Sequence, residues 1–351
     1  MSHTRAYAAQ SAESGLAPYT FERRSLRDDD VAIEIDYCGV CHSDLHVVED
    51  DWGGSQYPVV PGHEIIGRVT AVGPGVTAYK SGDLVGVGCM VDSCRTCSAC
   101  DSGLEQYCDE GMTPTYGGVD RQDGSITMGG YSDNIVVRER FVVRVPEKLD
   151  PASAAPILCA GITTYSPLKH FKVGQGHKVG VLGMGGLGHM GVKFAKALGA
   201  EVTLFTRSES KVAEAKKQGA DHVVVSTDRN QMKAVSNTFD FLLDTIPVAH
   251  DLNPYLKCLN HDGTHILVGL LSAIEPPVNA GLLLLKRRVI AGSLIGGMPE
   301  TQEVLDFCAE HDISCDVEML DIRDINDAYV RMKKGDVKYR FVIDMRTLKE
   351  G

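Results

Sequence analysis

The chain has 351 residues, 43% hydrophobic and 23% charged, which are values of a soluble globular protein large enough for two domains. Its 35 basic and 47 acidic residues give a net charge of −12, which argues against nucleic acid or an anionic membrane as the main partner. No run approaches the roughly 18 apolar residues of a membrane span, and residues 1–15 lack the apolar core of a secretory signal, so we expect a cytoplasmic protein.

The first 90 residues predict a compact β-rich domain. Alternating apolar residues, broken by Gly, Pro and Asp, predict strands at 31–37, 64–73 and 83–90.

Between the first two of these strands lies a segment dense in metal-binding side chains, running from Cys38 to Glu64. The candidates in it are the thiol of Cys41, the hydroxyl of Ser43, the carboxylates of Asp44 and Glu64, and the imidazoles of His42, His46 and His63. A catalytic zinc takes three protein ligands in tetrahedral geometry and keeps one open position, and Cys41 and His63 can be two of the three. A lone cysteine is more often a buried core residue. A second cysteine cluster and a dinucleotide fingerprint decide the question in favour of metal.

That second cluster reads CRTCSACDSGLEQYC and contains Cys94, Cys97, Cys100 and Cys108. Two overlapping CxxC steps closed by a fourth cysteine are typical of a structural four-thiolate zinc site. A ferredoxin-type iron–sulfur cluster uses similar spacings, but no Pro follows the last cysteine and no second such run exists. In a cytoplasmic chain, cysteines rarely form lasting disulfides. We expect the other five, Cys38, Cys89, Cys258, Cys308 and Cys315, to fill the core.

Residues 110–130 are rich in glycine and predict an exposed loop, and 131–146 predict two more strands. The pattern then changes to short apolar strands alternating with helical segments, at 178–183, 201–206, 222–226, 239–245, 265–270 and 289–295. Six buried strands with intervening helices predict an α/β doubly wound parallel sheet. After Pro299 we expect two helices, the second at 324–334, and a final strand that rejoins the first domain.

The first of these strands leads into a glycine fingerprint, GVLGMGGLGHMG. Gly183, Gly185 and Gly188 have the GxGxxG spacing, with Gly186 and Leu187 between them. Between a strand and a helix, this spacing permits the turn, the approach of the pyrophosphate and close helix packing. The helix N-terminus then holds the anion.

The next strand ends in Thr206, Arg207 and Ser208, with Lys211 close behind. An enzyme specific for NAD would offer an acidic side chain to the ribose here. Hydroxyls and an arginine instead favour the 2′-phosphate of NADP. If Arg207 and Lys211 are only solvated surface residues, the choice of cofactor stays open.

Several motifs together resemble those of the zinc-dependent medium-chain alcohol dehydrogenases, across nearly the whole chain. They are GHE, the four-cysteine lobe, LCAGITTYSPL, GMGGLGHMG, AGSLIGGMPET and VKYRFVID. They are most similar to the cinnamyl alcohol dehydrogenase-like branch and its bacterial broad-range aldehyde reductases. The resemblance implies a GroES-like catalytic domain at 1–158 and 297–351, with a structural zinc lobe at about 92–110, and a six-stranded Rossmann domain at 159–296. It also implies a homodimer.

The resemblance assigns roles residue by residue. Cys41, His63 and Cys159 match the catalytic zinc ligands, Glu64 the carboxylate that can approach the metal, and Asp44 the acid that orients the ligand histidine. Ser43 and His46 match the proton relay that runs through the nicotinamide ribose to solvent. The remaining matches contact the cofactor: His42 and Arg340 at the pyrophosphate, the backbone of Val268, Ser293 and Ile295 at the carboxamide, and Thr163.

The sequence therefore predicts an NADP(H)-dependent alcohol dehydrogenase and aldehyde reductase with two zinc ions per chain. Two alternatives stand beside this prediction. One is a polyol or sugar dehydrogenase of the same fold. The other is a non-catalytic redox sensor that binds NADPH or zinc.

Overall fold

A computed structural model of the protein describes residues 2–269 and 272–349. The chain forms two compact units. The first runs to Cys159 and resumes at Gly296, and the second spans Ala160–Ile295.

The part of the first unit before Cys159 consists mainly of strands. They are β1 (Ser2–Ala9), β2 (Leu16–Arg23), β3 (Asp30–Val40), β4 (Ile65–Val72), β5 (Leu84–Val87), β6 (Met90–Asp92), β7 (Thr113–Pro114), β8 (Asn134–Arg138) and β9 (Val143–Arg144). Its helices are α1 (His42–Val48), α2 (Ser98–Asp101) and α3 (Pro151–Ala154).

The second unit alternates helices with strands. Its helices are α4 (Ala160–His170), α5 (Gly186–Ala197), α6 (Val212–Lys217), α7 (Arg229–Ala234), α8 (Asn253–Leu256) and α9 (Ala280–Leu284). Its strands are β10 (Lys178–Leu182), β11 (Glu201–Thr206), β12 (His222–Val225), β13 (Phe239–Asp244), β14 (Leu259–Leu267) and β15 (Val289–Gly292).

The chain then returns to the first unit with α10 (Met298–Glu310), β16 (Val317–Asp321), α11 (Ile325–Lys333) and β17 (Arg340–Asp344). Short 3-10 turns lie at Glu105–Tyr107, Glu139–Phe141, Ala155–Leu158, Glu209–Lys211, Ile322–Asp324 and Met345–Lys349.

The main sheet of the first unit has the order β16-β17-β3-β4-β5-β9, and β8 also pairs with β3. Val31, Ile33 and Ile35, which alternate along the first half of β3, are buried, as expected for a strand with one face on the core. The final strand β17 pairs antiparallel with β3, placing Ile343 opposite Cys38. The β-rich domain is confirmed, and the tail does pack against it.

The second unit contains a parallel sheet whose described strands follow the order β12-β11-β10-β13-β14-β15. Val179 and Val181 of β10 are fully buried, since a parallel sheet is covered by helices on both faces. This is the six-stranded doubly wound fold that the sequence predicts. The order reverses direction between β10 and β13, and ligands bind at the carboxyl ends of strands near such a point.

Three sequence expectations differ from the structure. The hairpin of β1 and β2 and the strand β16 were not predicted. β14 begins at Leu259, well before the predicted position 265. Residues 260–263 are polar and show no strand pattern in the sequence, and the pairing of β14 with β13 shifts register between Phe239 and Phe241. Position 270, the predicted end of that strand, lies outside the described residues. The segment 110–130 is not wholly exposed, since it contains β7 and the buried Thr113, Thr115 and Tyr116.

Candidate active site

Four buried side chains with metal-binding atoms meet in the first unit. Cys41 lies where β3 ends and α1 begins, His63 and Glu64 directly precede β4, and Cys159 follows the turn Ala155–Leu158. Because β3 and β4 pair antiparallel, with Cys38 opposite Ile65, the end of one strand is adjacent to the start of the other. The four donor atoms all lie within 4.8 Å of one another.

The donor set fits a zinc ion. The sulfurs of Cys41 and Cys159 are 3.9 Å apart. Zn–S bonds of about 2.3 Å in a tetrahedron give a sulfur separation of roughly 3.8 Å. Their mutual contact lowers the pKa of the Cys41 thiol and raises that of Cys159. Two thiolates and an imidazole form a three-ligand set with room for a fourth, exchangeable ligand.

Asp44 organises this set from the first turn of α1. Its side chain is fully buried and accepts hydrogen bonds from the Cys41 backbone (2.8 Å), the Gly62 backbone (3.1 Å) and His63 Nδ1 (3.0 Å). The hydroxyl of Tyr131 donates at 3.3 Å to Oδ2, the oxygen that also accepts from Cys41, whereas Gly62 and His63 bond to Oδ1. The bond to Nδ1 leaves Nε2 of His63 as the nitrogen that can bind metal, and such an oriented imidazole is a stronger ligand.

Glu64 lies beside the donor set but is held by Arg340. Nη2 of Arg340 donates to Oε1 of Glu64 at 2.7 Å, and both side chains are buried. Burial raises the pKa of Glu64 to about 7 in spite of the opposing guanidinium. Oε2 has no hydrogen-bond partner among the described residues, so it is the oxygen that can turn toward a metal. A Cβ at position 39 would overlap this carboxylate, which explains Gly39 on β3.

Three other predicted site residues, Ser43, His46 and His42, lie on α1, the helix that begins directly after Cys41. Ser43 Oγ is 3.7 Å from the sulfur of Cys41. His46, on the next turn, is half-buried; its Nδ1 is 2.7 Å from Asp51 Oδ2, and its ring lies 5.1 Å from that of Trp52. Burial lowers the pKa of His42, whose ring lies 6.4 Å from that of His46.

Two residues near this site were missed by the sequence analysis. The ring of Tyr116 lies 5.7 Å from that of His63, and Tyr116 is buried although it belongs to the predicted exposed loop. Cys89, predicted as a core residue, is only half-buried and interacts with Cys159; that hydrogen bond lowers its pKa. The other four predicted core cysteines, Cys38, Cys258, Cys308 and Cys315, are buried. No sequence signal marked Tyr116, whereas Cys89 lies only five positions before the four-cysteine lobe.

The cysteines of that lobe, Cys94, Cys97, Cys100 and Cys108, form a second group of metal-binding atoms. The sulfurs of Cys94 and Cys100 are 3.9 Å apart, the separation expected around one zinc. Backbone N–H groups point at the sulfurs, from Cys97 to Cys94 at 3.3 Å and from Cys94 to Cys108 at 3.3 Å. Backbone hydrogen bonds to its sulfur lower the pKa of Cys94 to about 6, and the largest effect comes from the backbone N–H of Thr96. Four thiolates leave no open position, which fits a structural ion.

The glycine fingerprint lies between β10 and α5 in the second unit. Gly183 has φ +90°, a conformation that favours glycine. A Cβ at Gly188 would overlap the carbonyl oxygen of Gly183, so the close approach of helix and turn requires glycine there. Gly185 precedes Gly186 and Leu187 at the start of α5, and a Cβ at Gly185 would meet open space. This open space at a helix N-terminus fits a pyrophosphate.

At the end of β11, the side chain of Thr206 is buried, Ser208 is half-buried and Arg207 and Lys211 are exposed. Thr206 Oγ1 accepts from the Ser208 backbone at 3.3 Å. Elsewhere in this unit, Val268 and Ser293 donate backbone hydrogen bonds to Asp244 (3.0 Å) and Leu267 (3.1 Å). Ile295 is buried with φ 35°, and Thr163 is buried within α4.

Two family profiles match the chain. One, described as the alcohol dehydrogenase GroES-like domain, matches residues 27–147, and the other, described as zinc-binding dehydrogenase, matches 186–310. An aldehyde reductase of Escherichia coli (strain K12) is 54% identical over 98% of this chain and 99% of its own length. An NADP-dependent alcohol dehydrogenase C of Mycolicibacterium smegmatis is 51% identical over 99% of this chain and all of its own.

A solved structure of a cinnamyl alcohol dehydrogenase from Sorghum bicolor has a TM-score of 0.94 and 44% identity, over 98% of both chains. The chain belongs to the zinc-dependent medium-chain alcohol dehydrogenases, in the cinnamyl alcohol dehydrogenase-like branch. It is therefore a member of an oxidoreductase family. Within the described residues, no helix is both long and apolar enough to span a bilayer.

Proposed function

We propose that the protein is an NADP(H)-dependent zinc alcohol dehydrogenase that acts mainly as an aldehyde reductase. The observation that carries this proposal is the buried three-ligand set Cys41, His63 and Cys159, which stands apart from a closed four-thiolate lobe. A protein that needs zinc only for stability has no use for an open three-ligand set in a chain that also carries a dinucleotide fingerprint. The first unit would carry the chemistry, and the second would hold the cofactor.

Zinc held by these three residues would act as a Lewis acid on the aldehyde carbonyl, and NADPH would supply the hydride. Asp44 holds His63 in the orientation that offers Nε2 to the metal. The Ser43 hydroxyl lies 3.7 Å from the sulfur of Cys41. We infer that it would donate a proton to the oxygen of the alcohol product. His46, on the next turn, would replace that proton from solvent.

The preference for NADPH is supported by the end of β11. Thr206 and Ser208 offer hydroxyls, and Arg207 and Lys211 offer exposed cations, for a 2′-phosphate. Glu209, the nearest acidic residue along the chain, lies beyond the strand end on an exposed turn. The name of the Mycolicibacterium smegmatis relative agrees with this preference.

A direct test is a substrate screen with purified zinc-loaded protein. NADPH and NADH oxidation would be followed with benzaldehyde and hexanal, and NADP⁺ and NAD⁺ reduction with mannitol. We expect aldehyde reduction with NADPH to dominate and Cys159→Ser to abolish it. Faster mannitol oxidation with NAD⁺ would instead identify a polyol dehydrogenase. Absence of turnover with every pair would favour the non-catalytic alternative.

We also propose that two copies associate through the edge strand β15. Leu284 and Leu285 beside it are 81% and 84% exposed, and no described strand pairs with its outer edge. An unprotected apolar edge is a site of pairing with another chain. Sedimentation of a dimer that Leu285→Glu converts to monomer would support this, and a wild-type monomer would refute it.

A cytoplasmic location is supported by the cysteines. None of the eleven forms a disulfide in the structure, and unpaired cysteines in such number persist in a reducing compartment. Fractionation of cells that express the protein would test this location.

A further inference from the structure

The carboxylate of Asp44 accepts hydrogen bonds at both of its oxygens. The Gly62 backbone and His63 Nδ1 donate to Oδ1, at 3.1 and 3.0 Å. The Cys41 backbone donates to Oδ2 at 2.8 Å, and the hydroxyl of Tyr131 donates to the same oxygen at 3.3 Å. An ionised carboxylate has about four lone-pair sites, and these four donors can occupy all of them. Tyr131 differs from the other three donors because it lies 87 positions away from Asp44 in the chain.

Tyr131 is held beside the turn that carries His63 by its own backbone and ring. The Gly130 N–H donates to the Gly62 carbonyl at 2.9 Å, and the Tyr131 N–H donates to the Pro61 carbonyl at 2.9 Å. A Cβ at Gly62 would lie 2.7 Å from Cδ1 of Tyr131, so the ring packs directly against that turn. The same segment therefore supports the chain next to the ligand histidine and places a phenol hydroxyl at the carboxylate.

The hydroxyl distinguishes a positioning role from that of an ordinary core residue. Tyr131 has 0% of its surface exposed. A phenylalanine would fill the same space without taking a hydroxyl out of water, which costs free energy unless the hydroxyl is hydrogen-bonded. Burial raises the pKa of Tyr131, and the charge of Asp44 raises it further, so the phenol keeps its proton and acts as a donor. The hydroxyl thus stabilises the ionised carboxylate.

The position of this bond connects it to the metal site. Oδ2 of Asp44 would keep the backbone bond from Cys41 if the hydroxyl were removed, but the carboxylate would be less firmly fixed. Oδ1 of the same carboxylate would then orient Nδ1 of His63 less well. The hydrogen-bond partners of a ligand histidine affect its affinity for metal, so a loosened carboxylate should weaken metal binding.

We propose that Tyr131 is a positioning residue for the catalytic zinc site, and that its hydroxyl fixes Asp44 and, through Asp44, the ligand His63. The role is indirect, because the hydroxyl bonds to the carboxylate and not to a ligand atom. The inference rests on the proposed function in one respect, which is that Cys41 and Cys159 bind zinc together with His63.

The test is the zinc affinity of the catalytic site in Tyr131→Phe, which removes the hydroxyl and keeps the ring. Affinity would be measured on the full-length protein by competition with a chelator, for the ion that Cys159→Ser lacks. We expect about fivefold weaker binding, a typical loss for one hydrogen bond. Tyr79→Phe is the matched control, because the Tyr79 hydroxyl lies in the same unit and donates to the Val142 carbonyl at 2.7 Å. This variant should bind zinc as the wild type does.

Two further measurements separate positioning from support of the fold. In an Asp44→Asn background, Tyr131→Phe should weaken zinc binding by less than twofold, because the charge that the hydroxyl stabilises is already gone. The absorption bands of cobalt(II) exchanged into the catalytic site report the geometry of its ligands independently of turnover. These bands should shift in Tyr131→Phe and stay unchanged in Tyr79→Phe.

The proposal is overturned by equal zinc affinity in Tyr131→Phe and wild type, by an equally large effect of Tyr131→Phe in the Asp44→Asn background, or by an unchanged cobalt spectrum in Tyr131→Phe. Failure of the proposed function would look different, since the wild type itself would then bind zinc at the four-cysteine lobe alone. That result would overturn both proposals, whereas the first three would overturn only the role of Tyr131.

Discussion

Nδ1 of His63 lies 3.0 Å from Oδ1 of Asp44, and the same carboxylate accepts the backbone N–H of Cys41 at 2.8 Å. One buried acid thus orients two of the proposed zinc ligands, one through its ring and one through its main chain. Asp44 belongs to α1, so the short helix fixes the geometry of the metal site.

Replacing Asp44 by Asn should therefore weaken zinc binding at the catalytic site by about 10–100-fold, because His63 loses its charged partner while the side chain keeps its size. Zinc affinity would be measured by competition with a chelator. Asp51→Asn, which removes the partner of His46 on the same segment, is the matched control and should leave zinc affinity unchanged. Equal zinc affinity in Asp44→Asn and wild type would show that Asp44 does not orient the ligands.

Cofactor preference depends on the end of β11. Thr206→Asp combined with Arg207→Ile should shift the ratio of kcat/KM for NADPH over NADH toward NADH by tenfold or more, since a charge-assisted hydrogen bond contributes about 1.5–3 kcal/mol. The double variant also adds a carboxylate that repels the 2′-phosphate. Lys217→Ile, on the last turn of α6, is a control that removes a cation away from the strand end. A wild-type enzyme that uses both cofactors equally would contradict this assignment.

The proton relay predicts an order of effects. Ser43→Ala should lower kcat by about 100-fold or more, with zinc content and NADPH affinity retained, because it removes a group used only during reaction. His46→Gln should cost less, since solvent can replace a group at the outer end of the relay. Steady-state kinetics in both directions would give the two losses. Near-normal turnover in Ser43→Ala would place the start of the relay elsewhere, with Glu64 as the next candidate.

A charged cluster at the end of β13 predicts how stability depends on pH. Asp244 Oδ2 is 2.9 Å from His250 Nε2 and 2.8 Å from His265 Nε2, and Nδ1 of His250 lies 2.9 Å from the Val248 carbonyl. Both nitrogens of His250 face acceptors, which suits the imidazolium. The hydrogen bond to Asp244 raises the pKa of His250, with a further contribution from Asp251. Burial opposes ionisation of Asp244, but its bonds to His250 and His265 lower its pKa.

The sign follows from these directions. Protonated His250 adds to the free energy of unfolding. This stabilisation is complete below the pKa of the histidine in the unfolded chain, about 6.5, and is lost as pH rises through its higher pKa in the folded protein. Ionised Asp244 also adds to the free energy of unfolding. This stabilisation is present above the pKa of the aspartate in the unfolded chain, about 3.9, and is lost as pH falls through its lower pKa in the folded protein. Denaturant midpoints should thus fall between about pH 6 and pH 8.5 more in wild type than in His250→Gln. The variant should lose about 1 kcal/mol at pH 6.

His222→Gln, an exposed histidine of the same sheet, is the control for this measurement. An identical pH dependence in wild type and His250→Gln would show that the cluster does not couple stability to protonation.

Much of the fold could be predicted because the sequence patterns that indicate its strands, helices and turns each lie within a short segment of the chain. The strands of the second unit are short apolar runs between helices, and the glycines of the fingerprint mark the turn from β10 to α5. The hairpin of β1 and β2 could not be predicted in the same way. In β2 the order of buried and exposed residues does not alternate regularly, and Pro18 interrupts the strand signal.

Within the candidate site, chain spacing identified the residues that carry metal-binding atoms but not those that pack against them. Tyr116 contacts His63 only because a glycine-rich segment folds back over the site, and a lone tyrosine in such a segment has no pattern. The ion pair of Glu64 and Arg340 joins residues 276 positions apart, so it depends on β17 pairing with β3. Contacts of this kind follow from the topology and not from any local motif.

The central claim is that an open Cys41–His63–Cys159 site holds the zinc that catalysis requires, while the four-cysteine lobe holds a second, structural zinc. The most direct measurement is NADPH-dependent aldehyde reduction as a function of zinc content, determined by metal analysis after partial chelation and re-addition of zinc. The account predicts two zinc ions per fully active chain. Activity should be lost with the first ion removed and regained in proportion to its return, while Cys159→Ser remains folded, inactive and loaded with one zinc. Full activity at one zinc per chain, or full activity in Cys159→Ser, would contradict it.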